Sequence, residues 1–285
     1  MPTDNSLNDR RLRNWCQTPQ TRIPDPAAAA SLIERVGIAT LYPVSPEVPN
    51  LFHAFLGDAE AKTDSAWDTP SGQVYAWRWD LGRMGAGFYT AIVRGRPTFV
   101  SWDLLPALLR LRGELRTSDE LYDLGALSEG AYRIVQALEQ ADGVLGTGEL
   151  RQAANFPTGK EYRAAYLKAV EELDTRLIVA KIFSPDDTDM RHTLVAARYR
   201  RQLDEAEALS EDDALDRVLL TYAPPAVYVV PTVLARHLKL AEDRLIAALE
   251  RFRARGLMRS ELAAGHKGDV YIWESEHFDL ATSGT

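Results

Sequence analysis

Apolar and polar positions along this chain follow two periods. From Pro26 to Val36 the pattern is helical. Asp25 stands where a side-chain oxygen accepts the first free amides, Pro26 sits where no donor is needed, and Gly37 supplies a left-handed stop. Ile38–Tyr42 is a short β-type stretch, and Ser45-Pro46-Glu47 reads as the start of a helix ending near Gly57. Residues 58–72 are polar and read as a loop. The period then becomes two: Gln73 to Leu81 alternates, which puts Tyr75, Trp77 and Trp79 on one strand face. Gly82–Gly87 reads as a turn. Phe88–Val93 and Pro97–Trp102 complete a small antiparallel sheet, and Leu104–Arg112 is a helix closed by Gly113.

Beyond this point the pattern is mostly helical and repeats. Thr117-x-x-Glu120 is a capping box, and Ser128 opens a helix through Gln140. Thr147–Asn155 is a short helix broken by Phe156-Pro157, and Thr158-x-x-Glu161 is a second capping box. The helix from Lys160 to about residue 175 turns Ala164, Leu167, Val170 and Leu173 inward. Two β-rich runs, Leu177–Phe183 and Thr193–Tyr199, flank a polar turn at 184–189. The order recurs with helices at Asp213–Tyr222, Pro231–Leu238 and Ala241–Arg255, the last burying Leu245, Ile246, Leu249 and Phe252. Strands Leu257–Leu262 and Val270–Glu274 then flank a hairpin. Helix, turn, helix, two-stranded ribbon is the order of a winged helix. The expected class is α+β, with tandem winged-helix modules and a small antiparallel sheet in the N-terminal part. The expected boundaries are 1–125 (winged-helix-like, with the aromatic sheet), 126–205 and 206–285.

Composition narrows the functions. A chain of 285 residues that is 46% apolar can bury a sizeable core. No run reaches the roughly 18 apolar residues of a membrane span, and the N-terminus has no secretory pattern. Cys16 is the sole cysteine, so intrachain disulfides and multi-cysteine zinc sites are excluded, which fits a reducing cytoplasm. A net charge of −8 argues against tight nonspecific nucleic-acid binding but leaves room for a local basic face.

Few motifs carry chemistry. Gly82-x-x-Gly85-x-Gly87 has the wrong spacing for a dinucleotide fingerprint and is followed by a strand. The histidines (His53, His192, His237, His266, His277) are scattered without ligand spacing, so no metal or cofactor is expected. The Tyr75/Trp77/Trp79 stripe is either core packing or a stacking wall for a base. Lys160, Arg163 and Lys168 line the polar face of the first recognition helix, and Arg198, Arg200 and Arg201 end the wing after it. Either group is a phosphate contact or a solvated charge cluster. Arg244 and Arg251 on the second recognition helix stand among Glu242, Asp243 and Glu250, which repel phosphate.

Several segments together resemble the winged-helix DNA glycosylases that unhook interstrand crosslinks, the AlkZ/YcaQ group. Leu32-Ile-Glu-Arg-Val-Gly37 is similar to the helix end before that family's catalytic motif, and Arg112-Gly-Glu-Leu115 and Tyr122-Asp-Leu124 to its R-G-E-L…Y-D-L stretch. The resemblance spans residues 25–275 and implies a DNA partner, double-stranded or damaged. The family's Gln-apolar-Gln or Gln-apolar-Asp falls here on Thr40-Leu41-Tyr42. A threonine is a weak positioner of water and a tyrosine a poor base near neutrality. The chain is therefore closest to an AlkZ-related branch lacking that motif, and the first expectation is DNA binding without its chemistry. A glycosylase with a rearranged site, using Glu34, Tyr42 or Asp80 near the Trp77/Trp79 sheet, is the second. A protein-interaction module is the third.

Overall fold

The computed structural model describes residues 4–141, 143–157, 159–184, 190–262 and 268–274. Helix α1 (Asp4–Asn14) precedes three runs of one element order: helix, short strand, two helices, two strands. The first run is α2 (Pro26–Val36), β1 (Ile38–Thr40), α3 (Leu51–Leu56), α4 (Pro70–Arg83), β2 (Phe88–Val93) and β3 (Arg96–Val100). Helices α5 (Leu105–Arg112) and α6 (Ser118–Asp123) lead to the second: α7 (Glu129–Gln140), β4 (Val144–Gly146), α8 (Thr147–Ala153), α9 (Lys160–Thr175), β5 (Val179–Ile182) and β6 (Arg191–Leu194). After α10 (Val195–Arg198) and α11 (Arg200–Ala208) comes the third: α12 (Glu211–Ala226), β7 (Tyr228–Val229), α13 (Pro231–Leu238), α14 (Glu242–Ala254), β8 (Met258–Leu262) and β9 (Asp269–Trp273).

Each run closes a three-stranded antiparallel sheet with its last strand in the middle: β1-β3-β2, β4-β6-β5 and β7-β9-β8. The mixed helix-and-strand class with small antiparallel sheets is as expected. The repetition extends to the first run, where the sequence placed three strands after a polar loop and the structure has a helix, α4, followed by two.

That reading fails at one element. Tyr75, Trp77 and Trp79 lie on helix α4, not on a strand. Thr69 caps the helix by accepting from the Gly72 amide, and Pro70 sits in its first turn. The buried side chains Val74, Trp77 and Leu81 fall at i, i+3 and i+7, so helical burial overrides the incidental aromatic alternation. On a helix Trp77 points away from Tyr75 and Trp79. It is buried with its ring 4.9 Å from Phe55.

Smaller corrections have local causes. The helix expected from Ser45 starts only at Leu51, because Asn50 caps it by accepting from the His53 amide. On α9 the buried apolar positions are Tyr166, Ala169 and Leu173; Ala164 and Leu167 are exposed and Val170 is half-buried. On α14 Ile246 is exposed, while Leu245, Leu249 and Phe252 are buried. The strand expected through Tyr199 ends at Leu194, so Arg198, Arg200 and Arg201 sit on α10 and α11 rather than on a wing. Thr158 and both hairpin tips, 185–189 and 263–267, lie outside the described residues.

One core joins the first and third runs. Leu32, Phe52, Phe99 and Leu108 pack in the same cluster as Leu215, Val218, Leu249 and Phe252. At their junction Gly37 adopts φ 75°, and a Cβ there would collide with Thr221 of α12, so the left-handed stop is also a close helix approach. The second run has its own core, around Ile134, Leu138, Leu150, Tyr166 and Leu173. Helix α1 straps the end of α12. Asn14 Nδ2 donates to the Pro225 carbonyl (3.2 Å), and the fully buried Arg11 donates from Nε to Ala226 O (2.8 Å) and from Nη2 to Tyr228 O (2.6 Å).

Candidate functional site

The Thr40-Leu41-Tyr42 segment runs from the end of β1 into the loop toward α3. Thr40 pairs with Thr98 across the sheet and is fully buried. Its Oγ1 donates to the Tyr42 carbonyl at 2.8 Å, with the Pro49 carbonyl 3.4 Å away. The hydroxyl proton is therefore committed to backbone. Tyr42 is half-buried, and its hydroxyl donates to Ser71 O at 2.8 Å. Burial holds this phenol above its ordinary range, Tyr75 and Asp64 add to the effect, and Arg78 opposes it. Neither side chain can deprotonate water near neutrality.

Tyr42 nevertheless stands at a site. A cavity of about 200 Å³ is lined by Tyr42, Asp64, Trp67, Ser71 and Tyr75. A second, of about 330 Å³, shares Tyr42 and Asp64 and adds Pro43, Thr63, Arg96 and Pro97. The loop between α3 and α4 is held by its own hydrogen bonds. Asp64 Oδ1 accepts from the Ala66 amide (3.0 Å) and from Thr69 Oγ1 (2.6 Å), and the Asp64 amide donates to Ser71 Oγ (3.0 Å). Gly72 backs directly onto the Trp67 backbone, where a Cβ would collide. Trp67 itself is 76% exposed, with its ring 5.2 Å from Tyr75 in an edge arrangement. The Arg78 guanidinium covers the Tyr75 ring at 3.5 Å. Asp64, Trp67 and Arg96 were not singled out by the sequence. Two of them sit in a polar stretch with no periodic signal, and only folding brings them to Tyr42.

Of the expected aromatic trio, Tyr75 alone lines these cavities; Trp79 packs on Phe183 at 5.5 Å. Glu34 is exposed at a different cavity, beside Gly85 and Trp102. Asp80 is exposed and pairs with Arg83. The structure brings neither carboxylate to Tyr42.

The basic residues divide sharply. Lys160, Arg163 and Lys168 are exposed on α9 and make no ion pair among the described residues, with Tyr162 and Leu167 exposed on the same helix. Arg198 and Arg201 are likewise exposed and outside ion pairs among the described residues, although Arg198 hydrogen-bonds Tyr199. Arg200 is different: it pairs with Asp204 (2.7 Å) and Glu207 (3.9 Å). On α14, Arg244 pairs with Glu211 and Asp212, and Arg251 with Asp212 and Asp216, all from α12. Such exposed pairs add little stability, but they cancel the charge a phosphate would meet.

A Ser-His-Glu set also comes together. Ser45 Oγ lies 2.8 Å from His237 Nε2 and 3.1 Å from Glu47 Oε2. Glu47 contacts the serine and not the imidazole, and His237 Nδ1 has no hydrogen-bond partner among the described residues. The third group therefore does not orient the base, and the nucleophile logic of a triad is missing. No group of three His, Cys, Asp or Glu among the described residues could hold a metal ion. No helix among them is long and apolar enough to cross a membrane.

The comparisons with known proteins agree with this architecture. Among solved structures, the DNA glycosylase AlkZ of Streptomyces sahachiroi is similar, with a TM-score of 0.54 and 15% identity, over 93% of this chain and 69% of that one. At that identity the likeness is one of fold. No curated protein matches the sequence. A family model described as AlkZ related matches residues 23–216, which spans the first two runs and the Tyr42 loop. On that match, this chain belongs to the AlkZ-related family.

Proposed function

We propose that the chain is a DNA-binding relative of the repair glycosylases that does not hydrolyse the glycosidic bond through its Thr40–Tyr42 segment. The observation that carries this reading is Thr40, whose buried hydroxyl is held by backbone carbonyls where the resembled family keeps a water-positioning amide. In this reading each run is a winged-helix module, with boundaries at 1–125, 126–205 and 206–285. The shared strand order supports it. Phosphate contact falls to Lys160, Arg163 and Lys168 on α9, with Arg198 and Arg201 beyond β6, because these cations are exposed and make no ion pair among the described residues. The neutralised α14 suits protein packing better than DNA. A cytoplasmic setting goes with the reading.

The test is a salt titration of binding to plain, bulged and abasic duplexes, alongside an excision assay on alkylated and crosslinked DNA. The expected result is salt-dependent binding without excision. Excision by the unmodified protein would overturn the reading. A second reading, a glycosylase with a rearranged site, is favoured by Asp64, whose Oδ2 takes no hydrogen bond among the described residues where it lines both Tyr42 cavities. Excision that disappears in Asp64→Asn would establish it.

A further inference from the structure

We propose that the two cavities sharing Tyr42 and Asp64 form a site for one unstacked nucleotide, its base against Trp67 and Tyr75 and its phosphate toward Arg96. The proposal rests on the DNA-binding reading above and names what that site takes. Its starting point is the indole of Trp67, 76% exposed on a loop that is anything but loose. Hydrogen bonds from Thr69 and Ala66 to Asp64, and from Asp64 to Ser71, hold the loop, and Gly72 lets the Trp67 backbone seat on the first turn of α4. An exposed indole on a flexible segment would collapse onto apolar neighbours. Here the backbone is fixed and the ring stays displayed.

The ring geometry selects a flat ligand. Arg78 covers Tyr75 at 3.5 Å, while Trp67 and Tyr75 meet at 79° with centroids 5.2 Å apart. The two rings thus make a right-angled corner, and a planar base can stack on the indole with its edge toward the phenol. A volume of about 200 Å³ suits one ring system and not a base pair. The adjoining cavity supplies the charge. Arg96 lines it, is exposed at the start of β3, and makes no ion pair among the described residues. Asp64 lies on the wall common to both cavities, where its Oδ2 can accept from an amino or ring N–H on the base.

The experiment measures fluorescence anisotropy of two labelled DNA hairpins, one fully paired and one with a single unpaired adenine, and separately measures binding of dAMP by calorimetry. Stacking of one base on one aromatic side chain supports roughly a tenfold preference for the bulged hairpin. Trp67→Ala should erase that preference and leave the paired hairpin unchanged, and because Trp67 is exposed the variant should fold. Trp67→Phe should retain part of the preference, and Arg96→Gln should weaken dAMP binding. Equal wild-type affinity for both hairpins, or a preference that survives Trp67→Ala, overturns the site while leaving DNA binding intact. Trp67-dependent dAMP binding without DNA binding upholds the site and overturns the DNA reading. Absence of both overturns both.

Discussion

Replacing Arg11 by Met should destabilise the protein by about 3 kcal/mol. Arg11 is fully buried, and its guanidinium stands over the Tyr228 ring at 3.4 Å without a carboxylate partner among the described residues. Its role is to supply donors to the Ala226 carbonyl at the end of α12, where helix geometry leaves acceptors unsatisfied, and to the Tyr228 carbonyl at the start of β7. Removing it takes a donor from the buried Ala226 carbonyl and from the part-buried Tyr228 carbonyl, at about 1–3 kcal/mol for each acceptor left unsatisfied. Relief from burying a cation, the same desolvation that lowers its pKa, returns part of that cost. The net loss should therefore be about 3 kcal/mol, with Arg11→Lys intermediate because an ammonium lacks the planar fork. Urea denaturation followed by far-UV circular dichroism reads the change. High salt should leave the difference intact, since Arg11 is fully buried and poorly screened. A change within about 0.5 kcal/mol, the usual range for surface positions, would refute the strap argument.

Three further outcomes follow from other residues. Burial, reinforced by Lys181, pushes His192 down to about 4. The neutral imidazole therefore stabilises the fold fully above the ordinary histidine pKa of about 6.5, and as pH falls toward 4 about 3 kcal/mol is lost; His192→Gln should flatten acid unfolding in that window. In DNA binding, Arg201→Gln should reduce the salt slope by about 0.9, and the neighbouring Arg200→Gln by less than half of that, because Asp204 and Glu207 already hold Arg200. Equal slopes would sink the division between paired and unpaired cations. Thr40→Gln combined with Tyr42→Asp should fail to confer excision and should cost about 1–3 kcal/mol, because position 40 has no room for a longer side chain; a stable, active double variant would show that the buried hydroxyl is not the obstacle.

The second and third runs were legible because local rules agree there with the fold. The Thr117–Glu120 capping box, the Ser128 cap and the proline at the start of α13 all form as the sequence reads. The first run was obscured by α4, where Tyr75, Trp77 and Trp79 imitate a strand. The i, i+3, i+7 spacing of Val74, Trp77 and Leu81 was equally visible and is the pattern that burial follows. On α9 the inward face was misplaced because Tyr166 and Ala169, rather than Ala164 and Leu167, meet the core. The candidate site was legible only at Tyr42 and Tyr75. Asp64 and Trp67 reach it through hydrogen bonds within a polar loop, and Arg200 differs from Arg201 only in which neighbours each side chain finds. Neither is a property of spacing.

The core shared by the first and third runs makes the order of synthesis matter. Leu32, Phe52 and Phe99 leave the ribosome long before Leu215, Leu249 and Phe252, their packing partners. The roughly 100 residues between them take about 5–20 s to translate. During that interval the second run, with its own core, can close, while the nascent first run shows an apolar face still waiting for its complement. Through its amino-terminal third the newborn chain thus exposes the kind of apolar surface that holding chaperones bind, and a ribosome stalled before α12 would release a product with one closed core and one uncovered one.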